Sequence, residues 1–213
     1  MGRRLDEYRI FLREYVRSFH STGAILPSGR RLAGALARYV TGNGAGQRIL
    51  EVGPGTGPVT RRIAAQMGPE DRLDLVELND AFVARLRSAL GREPILQRVA
   101  ERTQLFHSPV EDLPGNACYD VIISGLPLNN FAASEVEQIL AKLAALLRPG
   151  GTLSFFEYIA IRRARAFVSG RAERERLRGI GRALGAVLDR HEFRRDWIWP
   201  NVPPAWVHHV RFS

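Results

Sequence analysis

Cysteine, lysine and methionine are nearly missing from this 213-residue chain: Cys118 stands alone, Lys142 is the single lysine, and methionine occurs twice. A lone cysteine allows no intramolecular disulfide and no cysteine-cluster metal site. No stretch reaches the roughly 20 consecutive apolar residues that a bilayer-spanning helix needs. Met1 to Tyr8 does not lead into the apolar core and small-residue cleavage site of a signal peptide, so a cytoplasmic protein is expected. There is no His-Glu-x-x-His or comparable ligand spacing, hence no expected metal, and no Gly-x-Ser-x-Gly elbow of a hydrolase. Repeats and low-complexity linkers are absent as well, and the length suits one α/β domain. The reading is a single domain over 1–213, with N-terminal helices in 1–41 and a sheet-forming core in 48–213.

What is abundant is arginine. Lys plus Arg total 31 against 22 Asp plus Glu, a formal charge of +9, and all of those cations except Lys142 are arginines. A field of this sign attracts polyanions, either nucleic acid or the surface of an anionic membrane.

The spacing predicts an amphipathic helix over Arg3–Phe19, with Leu5, Tyr8, Leu12, Tyr15, Val16 and Phe19 on one face and Arg4, Arg9, Arg13 and Arg17 interleaved. Two readings of it stay open: packing on the core, or lying in a membrane interface, where each arginine contributes about 1 kcal/mol. A second helix is expected over Gly29–Val40, capped by Ser28. From Arg48 the pattern alternates: strands over 49–52, 73–77, 103–107, 119–124 and 152–158, helices over 59–67, 80–90 and 134–147. A stop follows at Arg148-Pro149-Gly150-Gly151. Such alternation implies a mostly parallel sheet covered on both faces. A basic helical stretch over 164–188 and two strands, 196–199 and 206–212, complete seven strands.

Glu51-Val52-Gly53-Pro54-Gly55-Thr56-Gly57 leaves a strand and opens a helix, where glycines let a ligand approach the backbone. A dinucleotide fingerprint would place its third glycine at 58, which is Pro58. The pattern Glu-x-Gly-x-Gly-x-Gly, completed by Glu77 at the end of the next strand, instead resembles motif I of class I S-adenosylmethionine-dependent methyltransferases. The resemblance implies a Rossmann-like seven-stranded fold and S-adenosyl-L-methionine as cofactor, with S-adenosyl-L-homocysteine as product. It also implies cofactor contacts from Gly53, Pro54, Gly55, Thr56 and Gly57, Glu51 fixing the loop or the cationic amino group, and Glu77 with Leu78 at the ribose. After the third strand Pro109 stands where many relatives carry an acid. Val110 is then expected to pack on adenine and offer its N–H, with Glu111 or Asp112 as acceptor, although Asp112 equally suits the cap of a short turn.

Ser124-Gly125-Leu126-Pro127-Leu128-Asn129-Asn130-Phe131 follows the fourth strand, the end at which such sheets bind ligands. Adenine methyltransferases carry Asn or Asp, then Pro-Pro-Tyr or Leu-Pro-Tyr, in this loop. Here Gly125 and Leu128 fill the acceptor and stacking slots, which argues against a flipped base. Ser-Gly-Leu-Pro-Leu-x-x-Phe resembles the rhizobial-type phospholipid N-methyltransferases, which methylate phosphatidylethanolamine and whose close relatives act on ornithine lipids. Thr22–Ser28, with Gly23 and Ser28 as cofactor contacts, and Asn201-Val202-Pro203-Pro204-Ala205 fit the same family. The resemblance implies backbone carbonyls of Ser124, Gly125 and Leu126 orienting the amine, and Tyr15, His20, Phe131 or Tyr158 shaping the pocket. It also implies a peripheral enzyme at the inner face of the cell membrane, with an anionic membrane surface and an aminolipid as partners. Two other classes remain: an RNA or small-amine methyltransferase, and a non-catalytic cofactor-binding or membrane-associating domain.

Overall fold

The computed structural model describes residues 28–158, 171–199 and 204–212. The expected Arg3–Phe19 helix, Gly23, Tyr15, His20, the basic run at 162–165 and Asn201 to Pro203 lie outside those residues.

The strands are β1 (Arg48–Val52), β2 (Arg72–Glu77), β3 (Thr103–His107), β4 (Tyr119–Ser124), β5 (Leu147–Tyr158), β6 (Glu192–Ile198) and β7 (Ala205–Val210). They form one seven-stranded sheet in the order β3-β2-β1-β4-β5-β7-β6. All neighbours are parallel except the two pairs made by β7. The helices are α1 (Ser28–Leu36), α2 (Pro58–Gln66), α3 (Asp80–Arg92), α4 (Pro94–Gln97), α5 (Ala133–Leu146) and α6 (Arg171–His191). Among the described residues no helix is long and apolar enough to cross a membrane.

Alternation along the central strands feeds two cores. Leu50, Val52, Ile122, Leu153 and Phe155 pack under α5 and α6, while Ile49, Leu73, Val121, Ile123, Phe156 and Val207 pack on the α1 and α2 side. Strands covered on both faces read as near-continuous apolar runs, as β1 and β4 do. Local chemistry sets the helix starts. Asn79 Oδ1 accepts from the N–H groups of Ala81 and Phe82 at 3.0 and 3.1 Å, and Asp80 and Arg92 complement the α3 dipole. Pro58 occupies the first turn of α2, where its missing N–H costs nothing.

Three boundaries differ most from the sequence reading. α1 stops at Leu36, because the next N–H groups tighten into bonds from Arg38 to Ala35 O and from Val40 to Ala37 O. The Arg148–Gly151 stop lies inside β5. Leu147 pairs with Tyr119, the chain bulges through Gly150 at φ 77°, and pairing resumes at Thr152 opposite Val121. β6 starts four residues before the expected Asp196. Its first half is held by polar contacts, the Glu192–Arg195 ion pair and the hydrogen bond of Glu192 with His208 Nδ1, both at 2.6 Å, and therefore shows no apolar alternation to read.

The two last-strand histidines face opposite cores, as alternation requires. His209 is fully buried, with Nδ1 2.8 Å from Ser154 Oγ and Nε2 3.3 Å from Asp196 Oδ2. The carboxylate, which also pairs with Arg38 at 2.6 Å, places the ring proton on Nε2. Burial pushes this imidazole down to about 4. The unfolded chain therefore binds more protons between pH 4 and the ordinary histidine value near 6.5. Stability from His209 is complete above that window and lost as pH falls through it, by at most about 3 kcal/mol. Urea unfolding at pH 7.5 and 5 should show this loss, and His209→Gln should flatten it; an unchanged slope in the variant contradicts the assignment.

Candidate functional site

Strand order reverses between β1 and β4, and in open α/β sheets a crevice forms beyond the carboxyl ends of the strands at such a point. The loop after β1 turns on three glycines in the left-handed region, with φ of 70° at Gly53, 57° at Gly55 and 83° at Gly57. Backbone bonds prolong the sheet into it: Gly53 N–H donates to Val76 O at 2.9 Å, and Gly125 N–H to Val52 O at 2.8 Å. The loops after β1 and β4 thus run against each other. A Cβ on Gly125 would lie 2.6 Å from Gly53 O, and one on Gly53 would lie 2.8 Å from Leu126 Cδ2. Only glycine fits at 125, so the absence of a side-chain acceptor there is imposed by packing.

Glu77 ends β2, 4% exposed, with its carboxylate among backbone donors. Oε2 accepts from Gly55 N–H at 3.0 Å, and Oε1 from Leu78 and Asn79 N–H at 2.9 Å. A carboxylate offers about four acceptor sites, so one remains on the Oε2 side. Burial pushes its pKa up, against the backbone donors. Glu51 is 1% exposed and accepts from Thr60 Oγ1 at 2.7 Å, which ties β1 to the first turn of α2. Burial drives its carboxyl to about 8.

The remaining expected residues fall into place unevenly. Pro54 is buried, Thr56 is half-buried, and Leu78 is buried beside Glu77. Arg61 braces the loop by donating to Thr56 O at 2.8 Å, while its fork holds Glu93 at 2.6 and 2.7 Å. Val110 corrects the reading that its side chain packs on adenine: it is 2% exposed within the core under α5, so only its backbone remains to face a ligand. Glu111 and Asp112 are exposed in a 3₁₀ turn. Phe131 is likewise core, 3% exposed, because Arg176 of α6 draws the loop inward by donating to Asn129 O and Phe131 O at 3.1 and 2.6 Å. Tyr158 is half-buried at the end of β5, ring to ring with Phe156 at 5.0 Å. Ser124 is fully buried and Leu126 nearly so, and both backbones border the crevice. Ser28 is the first residue of α1, and Gly23 lies outside the described residues.

Two residues escaped the sequence reading. His107 sits opposite Glu77 in the β2–β3 register, with Nε2 3.0 Å from Asp80 Oδ1 and 3.2 Å from Leu78 O. Its signal was its place at a strand end beside the acid. Asn129 Oδ1 is buried with no hydrogen-bond partner. A polar residue inside Leu-Pro-Leu-x-x-Phe was the available hint. Beside the loop lies a cleft of about 500 Å³ lined by Thr56, Arg30, Arg61, Arg62 and Arg85, an anion-favouring flank. Among the described residues, no group of three or more His, Cys, Asp or Glu is placed to hold a metal ion.

Residues 49–151 match the methyltransferase domain family model. The chain is 29% identical over 150 residues to the ubiquinone/menaquinone biosynthesis C-methyltransferase UbiE of Ectopseudomonas mendocina, covering 66% of this chain and 56% of that protein. It is 23% identical over 154 residues to the ornithine lipid N-methyltransferase of Singulisphaera acidiphila, covering 70% of this chain and 77% of that one. The chain thus spans about half the length of the UbiE proteins that it matches. In fold it is similar to the 1,6-didemethyltoxoflavin-N1-methyltransferase of Burkholderia thailandensis, solved with its namesake ligand and S-adenosylhomocysteine. That likeness has a TM-score of 0.66 at 19% identity and covers 98% of this chain and 90% of that one.

The close approach of the two loops has a direct consequence. Gly125→Ala should lower the melting temperature by several degrees and abolish calorimetrically measured S-adenosylhomocysteine binding, since its Cβ strikes backbone that cannot yield. Binding at wild-type strength would contradict the 2.6 Å geometry. The family match falls on the strands and loops that build this crevice, so the crevice is the part of the chain that is similar to a methyltransferase domain.

Proposed function

We propose that the chain is an N-methyltransferase that acts on the amine head group of a membrane aminolipid, phosphatidylethanolamine or an ornithine lipid. The observation that carries this reading is the loop after β4. It reaches the crevice with a forced glycine at 125 and an aliphatic residue at 128, so no side-chain acceptor or stacking ring stands where a nucleobase would need them. The likeness to an ornithine lipid N-methyltransferase over 77% of that protein's length supports the same substrate class.

In this reading the shelf of Gly53, Pro54, Gly55, Thr56 and Gly57 carries the donor. Glu77 accepts from its ribose hydroxyls, Val110 offers a backbone N–H to its base, and Glu111 supplies a nearby acceptor. Bound S-adenosylmethionine supplies a methyl group on a cationic sulfur. Ser124, Gly125 and Leu126 present their carbonyls to the substrate amine and hold it, stripped of water, at about 3 to 3.5 Å from the methyl carbon. The nitrogen lone pair forms the new N–C bond as the C–S bond breaks and its electron pair stays on sulfur. The surplus N–H proton then passes to water. Alignment supplies much of the rate, so the chemistry does not require a strong base.

Carbon methylation is the second reading, favoured by the 29% identity to UbiE. A labelled-methyl assay separates the two. Incorporation into phosphatidylethanolamine or ornithine lipid vesicles is the expected result; label only in a quinone precursor or only in RNA overturns the proposal. Glu77→Ala should weaken S-adenosylhomocysteine binding by at least tenfold, and unchanged affinity removes Glu77 from the site. A cation held beside Glu51 favours its ionised form, whereas burial alone holds it at about 8. Donor binding near pH 7 should therefore release a proton and tighten as pH rises toward 8. Calorimetry in buffers of different ionisation enthalpy reads this, and Glu51→Gln should abolish the proton release.

A further inference from the structure

Two of the most exposed large apolar side chains among the described residues are neighbours. Trp197 and Trp199 are 63% and 69% exposed, and their rings meet edge to face at 5.7 Å. They sit two residues apart at the end of β6, the edge strand of the sheet. Trp197 is paired directly with Trp206 of β7, whose ring lies under the Arg195 guanidinium at 5.2 Å. All three tryptophans of the chain therefore gather at one corner.

The register shows which corner it is. Ser124, the end of β4, is level with Phe155, His208 and Arg195. Trp197 stands two residues beyond that line, about 7 Å above it at 3.3 Å per residue. Sideways it is three strands from β4, about 14 Å. The tryptophans thus project past the same rim of the sheet that bears the crevice. Charge on this rim is divided. Asp80, Glu111 and Asp112 are exposed on the β2–β3 side. Exposed arginines stand elsewhere on the rim, Arg30 and Arg31 in the first turn of α1 and Arg174 and Arg178 in the first two turns of α6. Two contacts place those turns on the rim: Arg30 shares the cleft with Thr56, and Arg176 reaches Asn129 O.

We propose that this tryptophan corner docks on an anionic bilayer, with Trp197 and Trp199 at head-group depth and the arginines of the same rim facing lipid phosphates. Indole prefers the membrane–water interface because its ring is apolar and its N–H is polar. Arginines near an anionic surface add attraction that salt weakens. The acidic side of the rim is repelled, so the molecule tilts onto its β6 edge and brings the crevice mouth to the level of the lipid amines. This deepens the aminolipid reading and rests on it for its purpose, while the docking itself is read without turnover.

Vesicles of phosphatidylcholine with phosphatidylglycerol, brominated near the head of the acyl chains, provide the test. The wild-type chain should bind them, shift its tryptophan emission to the blue and lose intensity to bromine quenching. Trp197→Ala with Trp199→Ala, which leaves Trp206 in place, should bind at least tenfold more weakly and lose the quenching, yet keep its melting temperature and S-adenosylhomocysteine affinity. Wild-type vesicle binding by the double variant, or absence of quenching in the wild type, overturns the docking surface. So does concentration-dependent self-association that the double variant abolishes without any change in vesicle binding, since the corner is then a protein contact. A dispersed short-chain phosphatidylethanolamine separates the two claims. If it is methylated while the double variant still binds vesicles normally, the docking fails and the substrate reading stands. If no aminolipid is methylated in either form, the substrate reading fails while quenching still reports on docking.

Discussion

The hydrogen bond from Gly55 N–H to Glu77 Oε2 joins two features that lie 22 residues apart in the chain and makes them one site. Without it the glycine loop would be a flexible turn and the acid an expensive buried charge. With it, each stabilises the other. The backbone donors of Gly55, Leu78 and Asn79 offset much of the cost of holding a carboxylate at 4% exposure, and the carboxylate fixes the loop over the crevice. The same exchange recurs around the loop. Glu51 holds Thr60 at the start of α2, and Arg61 holds Thr56 O while gripping Glu93. The loop is thereby held by side chains as well as by its own turn bond from Gly57 N–H to Pro54 O, as binding geometry accurate to fractions of an ångström requires.

The close contact of Gly53 with Gly125 carries this order across to the substrate side. Because a methyl group does not fit between them, the β4 loop must present bare backbone at its first position. A small primary amine can be gripped by carbonyls alone, whereas a planar base gains most from a ring stacked on it. In the proposed reading that bare backbone holds the amine, and the residue at the stacking position, Leu128, is aliphatic. The buried, unpartnered Asn129 Oδ1 in the same loop adds an acceptor to a region already rich in them.

Much of this was legible in the sequence, for a physical reason. A strand buried on both faces must be a largely apolar run, so β4 has the same bounds in sequence and structure. The three glycines at 53, 55 and 57 carry the positive φ that their spacing implied. Where the reading slipped, long-range packing had the last word. Val110 and Phe131 read as pocket-lining because they follow strand ends, yet both are drawn into the α5–α6 core, Phe131 by Arg176, which lies 45 residues further along the chain. The first half of β6 was invisible because polar contacts of Glu192 with Arg195 and His208 hold it in place of apolar alternation. The tryptophan corner is visible only in three dimensions, since pairing sets Trp197 against Trp206.

A co-crystal structure with S-adenosylhomocysteine tests the central claim most directly. The account predicts the amino-acid end over Gly53–Gly57 and the ribose hydroxyls within 3 Å of the Glu77 carboxylate, with the Gly55 contact kept or exchanged for a ribose hydroxyl. A nucleoside bound elsewhere, or ribose hydroxyls held by other groups while Glu77 keeps only its backbone donors, would contradict it.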